Sequence, residues 1–122
     1  MRITFSLIAD PPLLMAALEG LTAVNAVLLA RAARPVPRLY DSGVRYKREA
    51  PGREDWLHVG QVLKRKSGDC EDLSAWRAAE LRVYDAEPAR VVVIRTGPRT
   101  LHAVVQRADG RVEDPSRLLG MR

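Results

Sequence analysis

Apolar residues recur at helical spacing from Leu13 to about Ala33. Leu14, Leu18, Leu21, Val24 and Leu28 form one stripe, and Ala17, Val27 and Leu29 widen it almost all round. Such breadth predicts a helix that is buried or shared with a partner rather than laid on the surface. Asp10 is placed as its N-cap, and Pro11-Pro12 fall in the first turn, where a missing N–H does no harm. Arg34-Pro35-Val36-Pro37 ends it. Ahead of it, Arg2–Ile8 alternates in part and predicts a short strand.

From Pro35 to Asp55 no period is sustained, and Pro, Gly, Arg and Tyr predict a long ordered loop or lid, or the place where a substrate or partner is held. A short helix follows over about His58 to Lys66, with Val59, Val62 and Leu63 on its apolar face and Lys64-Arg65-Lys66 favouring its C-terminal end. Ser67-Gly68 breaks it. The next helix spans Cys70 to about Tyr84, with Leu73, Trp76, Ala79 and Val83 continuing the face that Cys70 starts. Three strands close the chain, at Arg90–Arg95, Thr100–Arg107 and Arg111–Asp114, joined by turns at Thr96–Arg99 and Ala108–Gly110. No internal repeat or low-complexity segment interrupts this order.

Composition narrows the class. The chain has 122 residues, 47% apolar and 29% charged, which suits one globular domain with its own core. A single cysteine excludes an internal disulfide, so nothing requires an oxidising compartment. A zinc site from Cys70, His58 and His102 lacks the usual ligand spacing, and no metal or other cofactor is expected. The net charge of +5 is concentrated in residues 31–66, where ten Arg or Lys face only Asp41, Glu49, Glu54 and Asp55. No aromatic ladder accompanies these charges, so nucleic acid is not an expected partner. Asp10, Glu19 and Asn25 interrupt the first apolar run and only Arg2 precedes it. A core or oligomer helix is therefore expected, not a signal peptide or membrane span.

The chemistry gathers at Ser67-Gly68-Asp69-Cys70-Glu71-Asp72-Leu73, where a glycine and a capping carboxylate put the one thiol in the first turn of a helix. Unpaired N–H groups there favour a thiolate, and a neighbouring imidazolium favours it more. Glu71 and Asp72 oppose the effect if they point at the sulfur; Asp69 and Asp72 otherwise form a weak capping box. His102 lies in a strand, where it shares a face with Val104 and Gln106. A two-residue Asp109-Gly110 turn would set Asp114 opposite Val105, on the wrong face. A three-residue Ala108-Asp109-Gly110 loop sets it opposite Val104, diagonal to His102, and Gly110 suits the left-handed position of that loop. In the second arrangement Asp114 fixes the imidazole tautomer and stabilises its cation. Taken singly, each residue has a plainer role: a small buried thiol, a half-exposed strand histidine, and an aspartate ending a strand.

Gly68-Asp69-Cys70-Glu71-Asp72-Leu73-Ser74, Leu101-His102-Ala103-Val104-Val105 and Glu113-Asp114-Pro115 together resemble the transglutaminase-like superfamily of papain-type fold, in particular its small bacterial cysteine proteinases. The resemblance runs from near Trp56 onward. It implies an α+β, papain-like domain with the nucleophile helix packed on a small antiparallel sheet. It also implies Cys70 as nucleophile, His102 as general base and acid, and Asp114 as its orienting partner. The oxyanion hole would use the Cys70 backbone N–H and a second donor from upstream, for which Trp56 and Gln61 are the candidates; a core aromatic and an exposed helix glutamine are their plainer roles. Some relatives bind calcium through acids near the site; Asp69, Glu71 and Asp72 could do so, but three acids at a helix start need no ion.

The expectation is one domain over residues 1–122: an N-terminal strand and apolar helix (1–34), a basic loop (35–55) and a catalytic core (56–122). The expected activity is thiol-dependent acyl transfer on amide bonds of a protein or peptide, as a cysteine peptidase or amidase, in the cytoplasm and with no membrane. The alternative is an inactive adaptor or assembly protein, phage- or prophage-related and in that case virion-associated. It would bind a protein partner through the 12–33 helix and the basic segment.

Overall fold

The computed structural model describes residues 2–4 (backbone alone), 10–49, 55–98 and 100–122. Beyond Thr4, the strand expected over Arg2–Ile8 lies outside the described residues, as do Glu54 and Arg99. The fold is mixed α and β, and one helix, α3 (Cys70–Asp85), divides its apolar interior in two.

On one side of α3 lie α1 (Pro11–Arg31) and an antiparallel sheet of β5 (Arg90–Gly97), β6 (Thr100–Gln106) and β7 (Val112–Glu113), in the order β5-β6-β7. Leu14, Leu18 and Leu21 of α1 meet Ala75, Ala78 and Leu81 of α3 and Ala103 and Val105 of β6. Small residues on α3 let the helices and sheet approach closely, and burying each leucine contributes about 1.5–3 kcal/mol. On the other side Leu73, Trp76 and Ala79 meet Leu29, Leu39, Val62 and Leu119. By length and composition α1 could cross a membrane; in this fold Leu14, Leu18 and Leu21 are core residues.

The caps follow the sequence. The Asp10 carboxylate accepts from the Leu13 N–H at 3.4 Å, with proline in the first turn. At α3 the capping box is complete: Asp69 accepts from the Asp72 N–H and Asp72 accepts from the Asp69 N–H, both at 3.2 Å. Ala86 closes α3 in the left-handed conformation, at φ 51°.

Three expectations are corrected. His58 is not in the short helix α2 (Val59–Arg65) but caps it: its Nδ1 accepts from Gly60 and Gln61 N–H groups, and Gln61 Oε1 accepts from the His58 N–H. Ser67-Gly68 breaks α2, yet also pairs, as β4, in parallel with β2 (Arg45–Tyr46). The basic segment is therefore not one long loop. Leu39 and Val44 are buried in it, the Leu39 N–H donates to the Glu80 carboxylate at 2.9 Å, and a tight turn forms over Leu39–Asp41. β3 (Asp55–Leu57) pairs antiparallel with β1 (Arg2–Thr4). Third, Cys70 does not belong to the Leu73–Trp76 face. It packs with the cluster of Trp56, Ala75 and Ala103, because residues four and five positions on, not three and six, face the sheet.

Candidate active site

β7 ends at Glu113, and beyond it the edge of β6 is covered by α3. Ser74 Oγ, one turn after Cys70, donates to the Ala103 carbonyl at 3.1 Å. The Ala103 N–H is on the same side of the strand, since both main-chain groups of one strand residue point the same way, and there it favours the Cys70 thiolate. The thiol is thus held against β6 one residue from His102.

His102 is buried, and its Nε2 lies 2.9 Å from Asp114 Oδ2. The hairpin is the three-residue form. Gly110 adopts φ 89°, its N–H donates to the Arg107 carbonyl at 2.9 Å, and Val105 pairs with Glu113, which sets Asp114 level with Val104. Asp114 also caps α4 (Pro115–Leu118), its Oδ1 accepting from the Arg117 N–H at 3.4 Å. One carboxylate therefore ends a strand, starts a helix and orients the imidazole. The Nδ1 of His102 carries no hydrogen bond among the described residues.

The hydrogen bond of the thiol goes elsewhere. Cys70 Sγ donates to Glu71 Oε2 at 3.3 Å, not to His102. Burial pushes the thiol well above its ordinary value, the Glu71 and Asp69 carboxylates push it further, and the Ala103 N–H works against them. Asp69 and Asp72 are both raised, first by burial. Backbone N–H groups of Leu57 and Asp69 on the Asp72 carboxylate work against that burial. Burial raises the Tyr46 phenol, with Cys70 and Asp69 adding to it.

Of the upstream candidates, Trp56 is buried in the cluster against which Cys70 packs. Gln61 spends its Oε1 on the α2 cap. Glu49, Asp69 and Asp72 each bring one carboxylate oxygen to within 4.8 Å of the others and could hold a cation, but the two aspartates are already spent on caps. Sequence reasoning missed the group that fixes β7. Glu113 accepts from Arg77 Nε at 2.6 Å, from Arg107 at 2.8 Å and from the Tyr40 hydroxyl, and Arg77 also bonds the buried Glu80 at 2.7 Å. The only local signal for it is the position of Glu113 beside Asp114.

Comparison of the chain with protein-family models, with curated proteins and with solved structures finds no match.

Proposed function

We propose that the protein is a thiol-dependent acyl-transfer enzyme of papain-like, transglutaminase-like architecture, acting as a cytoplasmic cysteine peptidase or amidase. The observation that supports this reading most is the 2.9 Å His102–Asp114 pair on the stretch of β6 whose Ala103 N–H meets the Cys70 thiol.

In the reaction the thiol turns from Glu71 to His102 Nδ1 and leaves its proton there. An Sγ–C bond forms to the substrate carbonyl, and the carbonyl π pair moves to oxygen, which the Cys70 N–H at the start of α3 receives. Collapse breaks the C–N bond, and the departing amine takes the proton from the imidazolium. Water then gives a proton to His102 and attacks the thioester, releasing the acid and the thiol. Asp114 keeps the Nε2–H tautomer and steadies the cation. An amine in place of water gives transamidation.

A second reading, an adaptor, is favoured by the raised thiol and by Leu13, Val27 and Leu28, which α1 leaves exposed. Alkylation by iodoacetamide between about pH 4 and about pH 10 separates the two. The enzyme reading expects a component of the rate at neutral and acid pH that disappears in His102→Ala. A profile identical in both proteins overturns it.

A further inference from the structure

We propose that Glu71 is a latch on the Cys70 thiol which a cationic group of the substrate releases, so that the enzyme selects amides carrying an ammonium or guanidinium close to the scissile carbonyl. The proposal rests on Cys70 being the nucleophile.

Three observations lead there. The thiol proton is committed to Glu71 Oε2 at 3.3 Å, so the ground state holds the nucleophile away from His102 Nδ1. Glu71 is also the exception in its charge pairing. Glu19 pairs with Arg82, Glu49 with Arg65, Glu80 with Arg77, Glu87 with Arg107, and Glu113 with both Arg77 and Arg107. Among the described residues Glu71 is the glutamate with no arginine or lysine partner, although it lies in a strongly basic protein and is half-buried. Lastly, the charged group that faces the thiol is a carboxylate. Glu71 faces it from the start of α3, and the neighbouring Asp69 carboxyl, raised by burial, keeps its proton. A half-buried carboxylate without a counter-ion costs desolvation energy that an incoming cation recovers.

A cation that pairs with Glu71 acts twice. It is bound within a few ångström of the sulfur, and it takes the carboxylate lone pair that held the thiol proton. The thiol is then free to turn to His102. An anionic substrate group at the same place meets Glu71 as a like charge and leaves the latch shut.

Thiol exchange with three methanethiosulfonates of different charge reads this directly. The reagents carry a trimethylammonium-ethyl, a methyl or a sulfonato-ethyl group, and each rate is divided by its rate with free glutathione. The native protein is expected to favour the cationic over the anionic reagent by about tenfold or more, the weight of one unscreened charge a few ångström away. In Glu71→Gln that preference should fall towards unity while the rate with the neutral reagent rises. Glu71→Ala serves as a second variant should the glutamine alter the helix start, with folding of each checked by thermal unfolding. A charge preference that survives in both variants, or a neutral-reagent rate that does not rise, overturns the latch. His102→Ala is the independent arm. If it leaves the neutral-reagent rate of Glu71→Gln unchanged, the Cys–His reading fails while the charge preference still reports on Glu71.

Discussion

Arg77, in the middle of α3, holds Glu113 at 2.6 Å, and Glu113 is the residue before Asp114. The helix that carries the thiol thus also grips the strand that carries the carboxylate. Arg107 and Tyr40 complete the grip, and the Arg77 guanidinium lies 4.8 Å over the Tyr40 ring. Because β7 has only two residues, its ladder alone is too short to define where Asp114 sits. The ion pair supplies what the ladder lacks.

Removing one partner should therefore be costly. Arg77→Met leaves the partly buried Glu113 and the buried Glu80 poorly paired and is expected to lower stability by about 3 kcal/mol. Chemical denaturation measures this, and a loss under about 1 kcal/mol would mean that Arg107 alone holds the strand. Glu113 also sets an acid limit. Burial opposes ionisation, but the bonds from Arg77, Tyr40 and Arg107 outweigh it and hold the carboxyl below its ordinary value of 4.5. Its contribution to stability is present above that value and is lost as pH falls through the lower, folded one.

Asp69 has the opposite sign. Its folded carboxyl is raised above 3.8, first by burial and then by Asp72 and Glu71. The folded state therefore binds a proton that the unfolded chain releases near pH 3.8, and stability falls as pH rises from there through neutrality. Asp69→Asn keeps a good N-cap while removing the titration. Thermal midpoints at pH 5 and pH 8 should differ less in the variant than in the native protein. Equal differences would place the proton on another group.

Ala86 holds a left-handed conformation at φ 51° at the end of α3, with Ala86 and Glu87 N–H groups both donating to the Leu81 carbonyl. Glycine adopts this conformation without the Cβ penalty. Ala86→Gly should stabilise the fold by about 1 kcal/mol, a rise of a few degrees in Tm. Because the residue is exposed and far from Cys70 in sequence, the thiol-exchange rates should not move.

What was legible in the chain is local. The reciprocal Asp69–Asp72 cap, the start of α3 at Cys70, and the Ala108–Gly110 loop that brings Asp114 to His102 all follow from residues within a dozen positions of one another. Periodicity gave the long helices but chose the wrong face for Cys70, since α3 is apolar on two sides and a three-and-four spacing fits either. The pairing of β1 with β3, the parallel bridge of β2 with β4, and the bonds of Glu113 to Arg77 and Tyr40 join residues far apart. No short-range pattern encodes such contacts. The rotamer that turns Glu71 to the thiol was equally hidden, because it depends on what surrounds the start of the helix in three dimensions.

Asp114 serves stability and chemistry largely through different atoms, apart from a 3.5 Å ion pair of its Oδ2 with the exposed Arg117. Its Oδ1 caps α4 and its Oδ2 meets His102 Nε2. Asp114→Asn keeps an acceptor for the cap, so stability should stay within about 1 kcal/mol of native, whereas Asp114→Ala loses the cap and should cost about 1 kcal/mol or more. Both variants remove the anion that selects the Nε2–H tautomer. Nitrogen-15 spectra of the imidazole should therefore show His102 as the Nε2–H form in the native protein and as a tautomer mixture in each variant. The His102-dependent part of Cys70 alkylation should weaken alongside. If the tautomer changes and that alkylation does not, Asp114 caps a helix and orients a ring with no consequence for the thiol, and the three residues do not act as one site.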